Sequence, residues 1–263
     1  KAGQYNLTGM EIISDKEIVA CGSFSGEKPE NLSFGEGQEI NGLFLRQFNL
    51  DGDLIRESNE VSSARVSNVK IRYSSALERF LVACEFEGTL TLGNETVSSN
   101  GGFDLLLFSL EENFSGLDAR NFGSTLNDRL GIFELDQNDR ILFSGSFFDE
   151  IEIDGKIFES KGSSDAFLAR IEPNGFTRLD DLHISGPGSD SIDSLNLISP
   201  QDIHFIGIET FWEDGYFGRN VQKNLVWNRL GYSVSNPMLL NFPPENLPVS
   251  RNFEFSLSTG PWE

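Results

Sequence analysis

An internal repeat of about 61 residues constrains this chain more than any other feature of its sequence. The phenylalanine that ends the long apolar segment of each repeat recurs as Phe24, Phe86, Phe147 and Phe211. A second marker, the start of a shorter apolar segment, recurs as Gly42, Asp104, Asp165 and Asn224. Both markers keep the same period to within a few positions. Two independent markers that share one period indicate a repeat architecture.

The cleanest copy of the repeat, residues 140–176, predicts antiparallel strands joined by tight turns. A long apolar strand is followed by a small hairpin with Asp154 and Gly155 at its tip, then by a third strand and a turn at Asn174 and Gly175. Asp-Gly and Asn-Gly between β-branched or aromatic residues are typical of such turns. A short alternating strand opens each repeat, predicted at residues 10–14, 69–73, 132–135 and 195–198.

The predicted fold is an all-β propeller of four-stranded antiparallel blades, because such sheets repeated radially form a propeller. No segment has the helical apolar period of about 3.6 residues. We place the repeats at residues 8–66, 67–129, 130–191 and 192–250 of a single domain, with the inner strand of a fifth repeat at 251–263. The chain is either part of a larger propeller or a small ring with an irregular last unit.

The charge of the chain excludes some classes of partner. With 20 Lys+Arg against 41 Asp+Glu the formal net charge is −21, whereas a nucleic-acid binder needs cations to displace phosphate counterions. An anionic membrane surface is excluded for the same reason. No run of about 18 apolar residues is present, so membrane insertion is not expected. Another protein or a surface glycan remains as partner, and the sequence does not indicate an oligomeric state.

The repeat resembles the SBBP-type β-propeller repeat of bacterial secreted and cell-surface proteins. The third repeat carries the resemblance with Ser-Gly-Ser-Phe at 144–147, Asp-Ala-Phe-Leu at 165–168 and Asn-Gly at 174–175. The first repeat matches at 21–24 and 51–52, and the fourth matches least. The resemblance implies an extracellular or cell-surface location in bacteria and adhesin-type proteins. It implies no active-site residues.

Cysteine, histidine and clustered carboxylates are the residues most able to carry chemistry. We expect Cys21 and Cys84, at the same position of successive repeats, to be small buried hydrophobic residues. Blades pack about 10 Å apart, whereas a disulfide needs Cα atoms within about 7 Å. Neither His183 nor His204 has the spacing of a zinc site. We therefore predict no metal ligands and no catalytic residues.

One acidic cluster keeps a calcium ion possible as a cofactor. Glu150, Glu152 and Asp154 alternate along a strand and would lie on one face of it. Such a face could bind calcium or supply a pair of catalytic carboxylates, but a solvated strand face explains it as well.

The best hint of a binding site is an aromatic and acidic stretch in the fourth repeat, where the other repeats have a regular hairpin. Its candidate binding residues are Trp212, Asp214, Tyr216 and Phe217. Aromatic rings beside carboxylates suit stacking on sugars or contact with a protein. Packing between blades is the competing explanation.

These observations favour a non-catalytic extracellular module that binds protein or glycan, or acts as a structural spacer. The alternative is a glycan-acting hydrolase or lyase with carboxylates at the mouth of the propeller channel. A stalk stabilised by calcium is a third hypothesis. The sequence leaves enzymatic activity open and leans against it.

Overall fold

The structure is a computed structural model that describes residues 4–27, 39–62, 64–93, 95–199, 202–215, 218–230 and 238–241. Side chains are described for a smaller set, and those after residue 208 lie outside it. The predicted inner strand of a fifth repeat at 251–263 and the predicted first hairpin near 34–37 are both outside the described residues.

Within these described residues, twenty strands form four antiparallel sheets of four strands, with a two-stranded hairpin beside two of the sheets. Blade 1 contains β1 (Gln4–Ile12), β2 (Glu17–Glu27), β3 (Glu39–Asn49) and β4 (Leu54–Ser62). Blade 2 contains β5 (Arg65–Ser74), β6 (Arg79–Glu87), β9 (Asp104–Glu111) and β10 (Gly116–Phe122), with the hairpin β7 (Thr89–Leu92) and β8 (Glu95–Ser98).

Blade 3 contains β11 (Arg129–Leu135), β12 (Ile141–Phe147), β15 (Asp165–Glu172) and β16 (Thr177–Ile184), with the hairpin β13 (Glu150–Ile153) and β14 (Lys156–Glu159). Blade 4 contains β17 (Ser191–Ser199), β18 (Asp202–Gly215), β19 (Gly218–Leu230) and β20 (Met238–Asn241). No helix occurs among the residues that the structure describes.

The first strand of each blade is its inner strand. Strands β1, β5, β11 and β17 contact one another in chain order, while each also pairs with the second strand of its own sheet. The chain is therefore a β-propeller of four-stranded antiparallel blades, as the repeat predicted, and the four inner strands lie side by side at its centre.

Each inner strand is longer than the sequence predicted because it contains an irregularity in its pairing. The register shifts between Leu7 and Gly9 in β1, and between Ser67 and Lys70 in β5. Strands β11 and β17 have the same shift. An extra residue reverses the alternation of buried and exposed side chains. The alternation of apolar and polar residues is therefore regular only after the bulge. Every predicted inner strand began at the bulge or just after it.

Hydrophobic cores fill the spaces between neighbouring blades. Alternating side chains of one strand belong to different cores: Leu106 packs between blades 1 and 2, whereas Leu105 and Leu107 pack between blades 2 and 3. Both faces of the central strands are thus buried, which explains their continuous apolar sequence. Phenylalanine supplies most of the large buried side chains, since a flat ring fills the gap between two sheets.

The two cysteines are buried thiols in the core between blades 1 and 2. Cys21 pairs with Leu45, whereas Cys84 pairs with Leu106. The expectation that they occupy equivalent positions is wrong, because Leu45 corresponds to Leu107, and the residue opposite Leu107 is Ala83. The second repeat has one residue fewer between its cysteine and its marker phenylalanine, so the cysteines point from opposite sheets into one core.

Candidate active site

Four residues at one register position of the inner strands form a row across the blades. These residues are Glu11, Arg72, Glu134 and Asn196, which pair with Val19, Leu81, Leu142 and His204 of the second strands. Most buried positions of the repeat carry side chains of similar type in every blade. At this position the side chains differ in charge from blade to blade. Such variation at a shared position is typical of a site rather than of the framework.

Arg72 joins two carboxylates that come from different blades. Its Nε donates to Glu134 Oε2 at 2.8 Å, and its Nη2 lies 2.5 Å from Glu134 Oε1. The two contacts form a bidentate ion pair. Its Nη1 lies 3.6 Å from Glu11 Oε2. Two carboxylates that contact one guanidinium lie within roughly 10 Å of each other, and the catalytic carboxylates of glycosidases are about 5–10 Å apart.

The row is partly open to solvent. The side chains of Glu11, Arg72 and Glu134 are 21%, 27% and 40% exposed, so each is desolvated on one side and reachable on the other. Glu11 also accepts a hydrogen bond from the backbone N–H of Tyr73 at 3.2 Å, which fixes its orientation.

The ionisation of the row differs from that of exposed side chains. Burial raises the pKa of Glu11, and the charge of Glu134 adds to this, although the Tyr73 N–H and Arg72 act against it. The hydrogen bonds to Glu134 raise the pKa of Arg72, so the guanidinium stays charged. When one carboxyl group has a raised pKa and its neighbour stays ionised, the first can act as an acid and the second as a base or nucleophile.

Lys70 adds a second cation two residues before Arg72. Its ammonium group donates to the backbone carbonyl of Gly131 on the next inner strand, and burial lowers its pKa. The inner strands therefore present two cations and two carboxyl groups within one short segment, contributed by three blades.

A cavity of about 670 Å³ lies between blades 1 and 2 at the start of the inner strands. Aromatic, amide and guanidinium side chains line it, among them Tyr5, Asn6, Phe24, Asn41, Arg65 and Phe103. Six steps along strand β1 separate Tyr5 from Glu11, which corresponds to roughly 20 Å. The cavity is thus a separate surface on the strand that carries Glu11.

Other buried carboxylates belong to the repeated framework. Asp104 and Asp165 are equivalent, and both accept hydrogen bonds from the outermost strand of their blade. Asp128 and Asp190 are equivalent as well, and each accepts from a backbone N–H four residues earlier. The same interactions occur at equivalent positions of two blades. They therefore hold the loops of the repeat and do not mark a functional site.

His183 belongs to the same framework. Its Nε2 lies 2.8 Å from Asp165, where blade 2 has Asn121 bound to Asp104 at 2.9 Å. Burial lowers the pKa of His183, with Asp165 acting in the opposite direction. The substitution of an amide by an imidazole at an equivalent position indicates a structural role.

The structure describes only part of the binding site predicted from the sequence. Trp212 and Asp214 lie in β18, where their backbones pair with Val221 and Arg219 in one long ribbon of β18 and β19. Their side chains, and Tyr216 and Phe217 altogether, lie outside the described residues.

The acidic cluster on β13 does not converge on a site. Glu150 and Glu152 are exposed, while Asp154 forms an ion pair with Arg120 at 3.2 Å and accepts from the Arg178 N–H at 3.0 Å. Within the part of the chain that the structure describes, no group of three or more His, Cys, Asp or Glu side chains could hold a metal ion. The described residues contain no helix long and apolar enough to cross a membrane.

Sequence reasoning missed Glu11, Arg72 and Glu134. Each follows the previous one by a single period of the repeat, so the signal was available in an alignment of the repeats. It was hidden because each residue alone looks like an ordinary exposed charge on a strand.

No protein-family model matches the chain, and no curated protein does. Solved structures do match. An exo-β-1,3-galactanase from Clostridium thermocellum is 10% identical with a TM-score of 0.40, over 89% of this chain and 47% of that one. An exo-β-1,3-galactanase from Phanerochaete chrysosporium with β-1,3-galactotriose is 7% identical with a TM-score of 0.41, over 86% and 48%. At these identities the likeness is one of fold, and the chain spans about half the length of these enzymes.

The expected non-catalytic module needs correction. The solved structures that match are named exo-β-1,3-galactanases, which act on a glycan. The inner strands also bring two carboxyl groups from different blades to one guanidinium. The resemblance to SBBP repeats, the extracellular location and the calcium ion stay predictions.

Proposed function

We propose that this chain carries the carboxyl pair of a glycan-acting hydrolase. The observation that supports this most is the convergence of Glu11 and Glu134 on Arg72 at the centre of the propeller. Hydrolysis of a glycosidic bond needs an acid to protonate the leaving oxygen and a second carboxylate to attack the sugar or activate water.

The two carboxyl groups take different roles in this proposal. Glu11 is the acid, because burial raises its pKa and keeps the proton available at higher pH. Glu134 is the nucleophile or base, held in place by two hydrogen bonds from Arg72. Arg72 is a positioning residue that also offsets the negative charge of the pair.

A separate cavity farther along β1 also suits a sugar ligand. Its aromatic and amide side chains, such as Tyr5 on β1 and Asn41 on β3, are groups that stack on and hydrogen-bond to sugars. The net charge of −21 disfavours polyanionic substrates and is compatible with neutral glycans.

The test is hydrolysis of a panel of neutral β-linked oligosaccharides, β-1,3-galactotriose among them, followed by mass spectrometry of the products. We expect turnover by the unaltered protein and losses of about 100-fold or more for Glu11→Gln and Glu134→Gln, as for removal of a catalytic acid or base. Glu152→Gln, which changes an exposed carboxylate on β13, is the matched control and should keep full activity. Equal rates for all three variants would contradict the assignment.

A further inference from the structure

The cavity of about 670 Å³ lies where the packing between blades 1 and 2 changes from apolar to polar. The face of blade 1 that meets blade 2 is apolar at Cys21 and Leu45, which belong to the core between these blades. Toward the start of β1 the same face becomes polar, since side chains alternate along each strand. The polar residues of this face that line the cavity are Gln4, Asn6, Ser23, Ser25 and Asn41.

Blade 2 carries a longer side chain at the position of Ser23. Ser23 pairs with Leu43 on the third strand of its blade. The same position of blade 2 is occupied by Glu85, which pairs with Leu105. The buried carboxylate of Glu85 reaches blade 3, where it accepts a hydrogen bond from the Leu130 N–H at 2.9 Å. A glutamate therefore bridges blades 2 and 3, whereas a short serine at the same position leaves space between blades 1 and 2.

The polar side chains of the cavity have groups to offer a ligand. Within the part of the chain that the structure describes, the side chains of the five polar residues form no hydrogen bond with another residue. Glu85, by contrast, accepts hydrogen bonds from Ser67 at 3.1 Å and from Asn68 at 3.2 Å. Ser23 and Asn41 are half-buried, so they belong to the wall of the cavity rather than to a flat surface.

The chemistry of the lining suits an uncharged ligand with many hydroxyl groups. Amide and hydroxyl side chains both donate and accept hydrogen bonds, as the hydroxyl groups of a sugar do. Among the described lining residues Arg65 has the one charged side chain, and it forms an ion pair with Glu87. Val66 and Phe103 add apolar surface, which the C–H groups of a sugar ring can contact. A volume of about 670 Å³ lies within the roughly 300–1,000 Å³ of small-ligand sites.

We propose that this cavity is a second glycan-binding site, which holds a neutral oligosaccharide away from the carboxyl pair. Five steps along β1 separate Asn6 from Glu11, which corresponds to roughly 17 Å, so the two sites are distinct. No carboxylate lines the cavity among the described residues, so this site binds a glycan without supplying an acid or base. The choice of a glycan as ligand rests on the proposed function, whereas the cavity and its lining do not.

The test is titration of isotope-labelled Glu11→Gln protein, which does not consume the ligand, with β-1,3-galactotriose and the other neutral oligosaccharides of the panel. NMR of the backbone amides should show two groups of shifted signals, one around Ser23 and one around Arg72. In this background Ser23→Gln should weaken binding at the first group about tenfold or more, because the longer side chain occupies the cavity. Asn41→Ala should weaken it about fivefold, through the loss of one hydrogen bond.

The control is Ser98→Gln in the same background, which makes the same change at an exposed serine of β8 and should leave binding unaltered. Circular dichroism melts show that each variant is folded. Shifts around Arg72 alone overturn this inference and leave the proposed function standing. Shifts around Ser23, without hydrolysis by the unaltered chain, support this inference and contradict the proposed function. Equal affinities of Ser23→Gln, Asn41→Ala and the control also overturn the inference.

Discussion

At the scale of single residues, the fully and partly buried carboxyl groups divide into the proposed catalytic pair and a framework set. Glu11 and Glu134 share their register position with Arg72 of the blade between them, whereas Asp128 has the equivalent carboxylate Asp190 in the next blade. Both kinds are desolvated, so a perturbed pKa does not by itself identify the site. Comparison of equivalent positions in different blades separates the two sets, because an interaction that belongs to the framework is repeated from blade to blade.

Asp128 gives a pH-dependent prediction. Burial raises its pKa from 3.8 to about 6, because the hydrogen bonds from Ser124 do not offset the lost hydration. The contribution of Asp128 to stability is fully present below pH 3.8 and is lost as the pH rises through about 6. Urea unfolding at several pH values should show the unaltered chain losing about 3 kcal/mol relative to Asp128→Asn across this range. A difference between the two proteins that does not vary with pH would refute this assignment.

Glu85 gives a second prediction at this scale. Its buried carboxylate accepts hydrogen bonds from Ser67, Asn68 and the Leu130 N–H, so it joins blades 2 and 3. Glu85→Ala should lower the free energy of unfolding by about 1–3 kcal/mol, since it leaves buried donors without a partner. Glu87→Ala, two residues along the same strand in a more exposed ion pair, should cost less than about 1 kcal/mol. Similar costs for both variants in urea unfolding would contradict this role.

At the scale of single elements, the bulges of β11 and β17 require space on the second strand of their blades. Gly145 and Gly207 lie opposite the bulges of β11 and β17. A Cβ atom on Gly145 would lie 2.7 Å from the carbonyl oxygen of Arg129, and one on Gly207 would lie 2.5 Å from that of Ser191. A methyl group there collides with backbone rather than with a flexible side chain.

Gly145→Ala should therefore lower the free energy of unfolding by about 1–3 kcal/mol, the usual cost of overpacking. Ser146→Ala on the same strand is the control, with an expected change within about 0.5 kcal/mol. Thermal and urea unfolding of the two variants measure the difference. If Gly145→Ala is as stable as the control, the close approach of the inner strand is not a constraint.

The same elements show how much of the fold could be predicted from the sequence. Central strands such as β12 and β15 were predicted because their apolar runs and tight turns are local signals. The inner strands were predicted too short, because a bulge disrupts the alternation on which the prediction depends. The row of Glu11, Arg72 and Glu134 was missed, because it forms only when three blades pack side by side and each member looks ordinary in its own strand.

At the scale of the whole molecule, the repeat provides a rigid frame and the departures from it provide the site. Blade-to-blade cores fix the inner strands relative to one another, so charged residues that are one repeat apart in sequence meet within hydrogen-bond distance. Rigid elements hold catalytic groups more accurately than loops do. A pair of carboxyl groups on inner strands therefore suits an enzyme better than a passive spacer.

The most direct test of the carboxyl pair is the pH dependence of kcat/KM for hydrolysis of the best oligosaccharide in the panel, measured for the unaltered chain and for Glu11→Gln. Glu11 must be protonated to act as the acid, and its pKa is raised, so the rate should fall only as the pH rises through that pKa. Glu11→Gln should lose this alkaline limb together with most of its activity. Absence of hydrolysis by the unaltered chain, or an alkaline limb that persists in Glu11→Gln, would contradict the assignment.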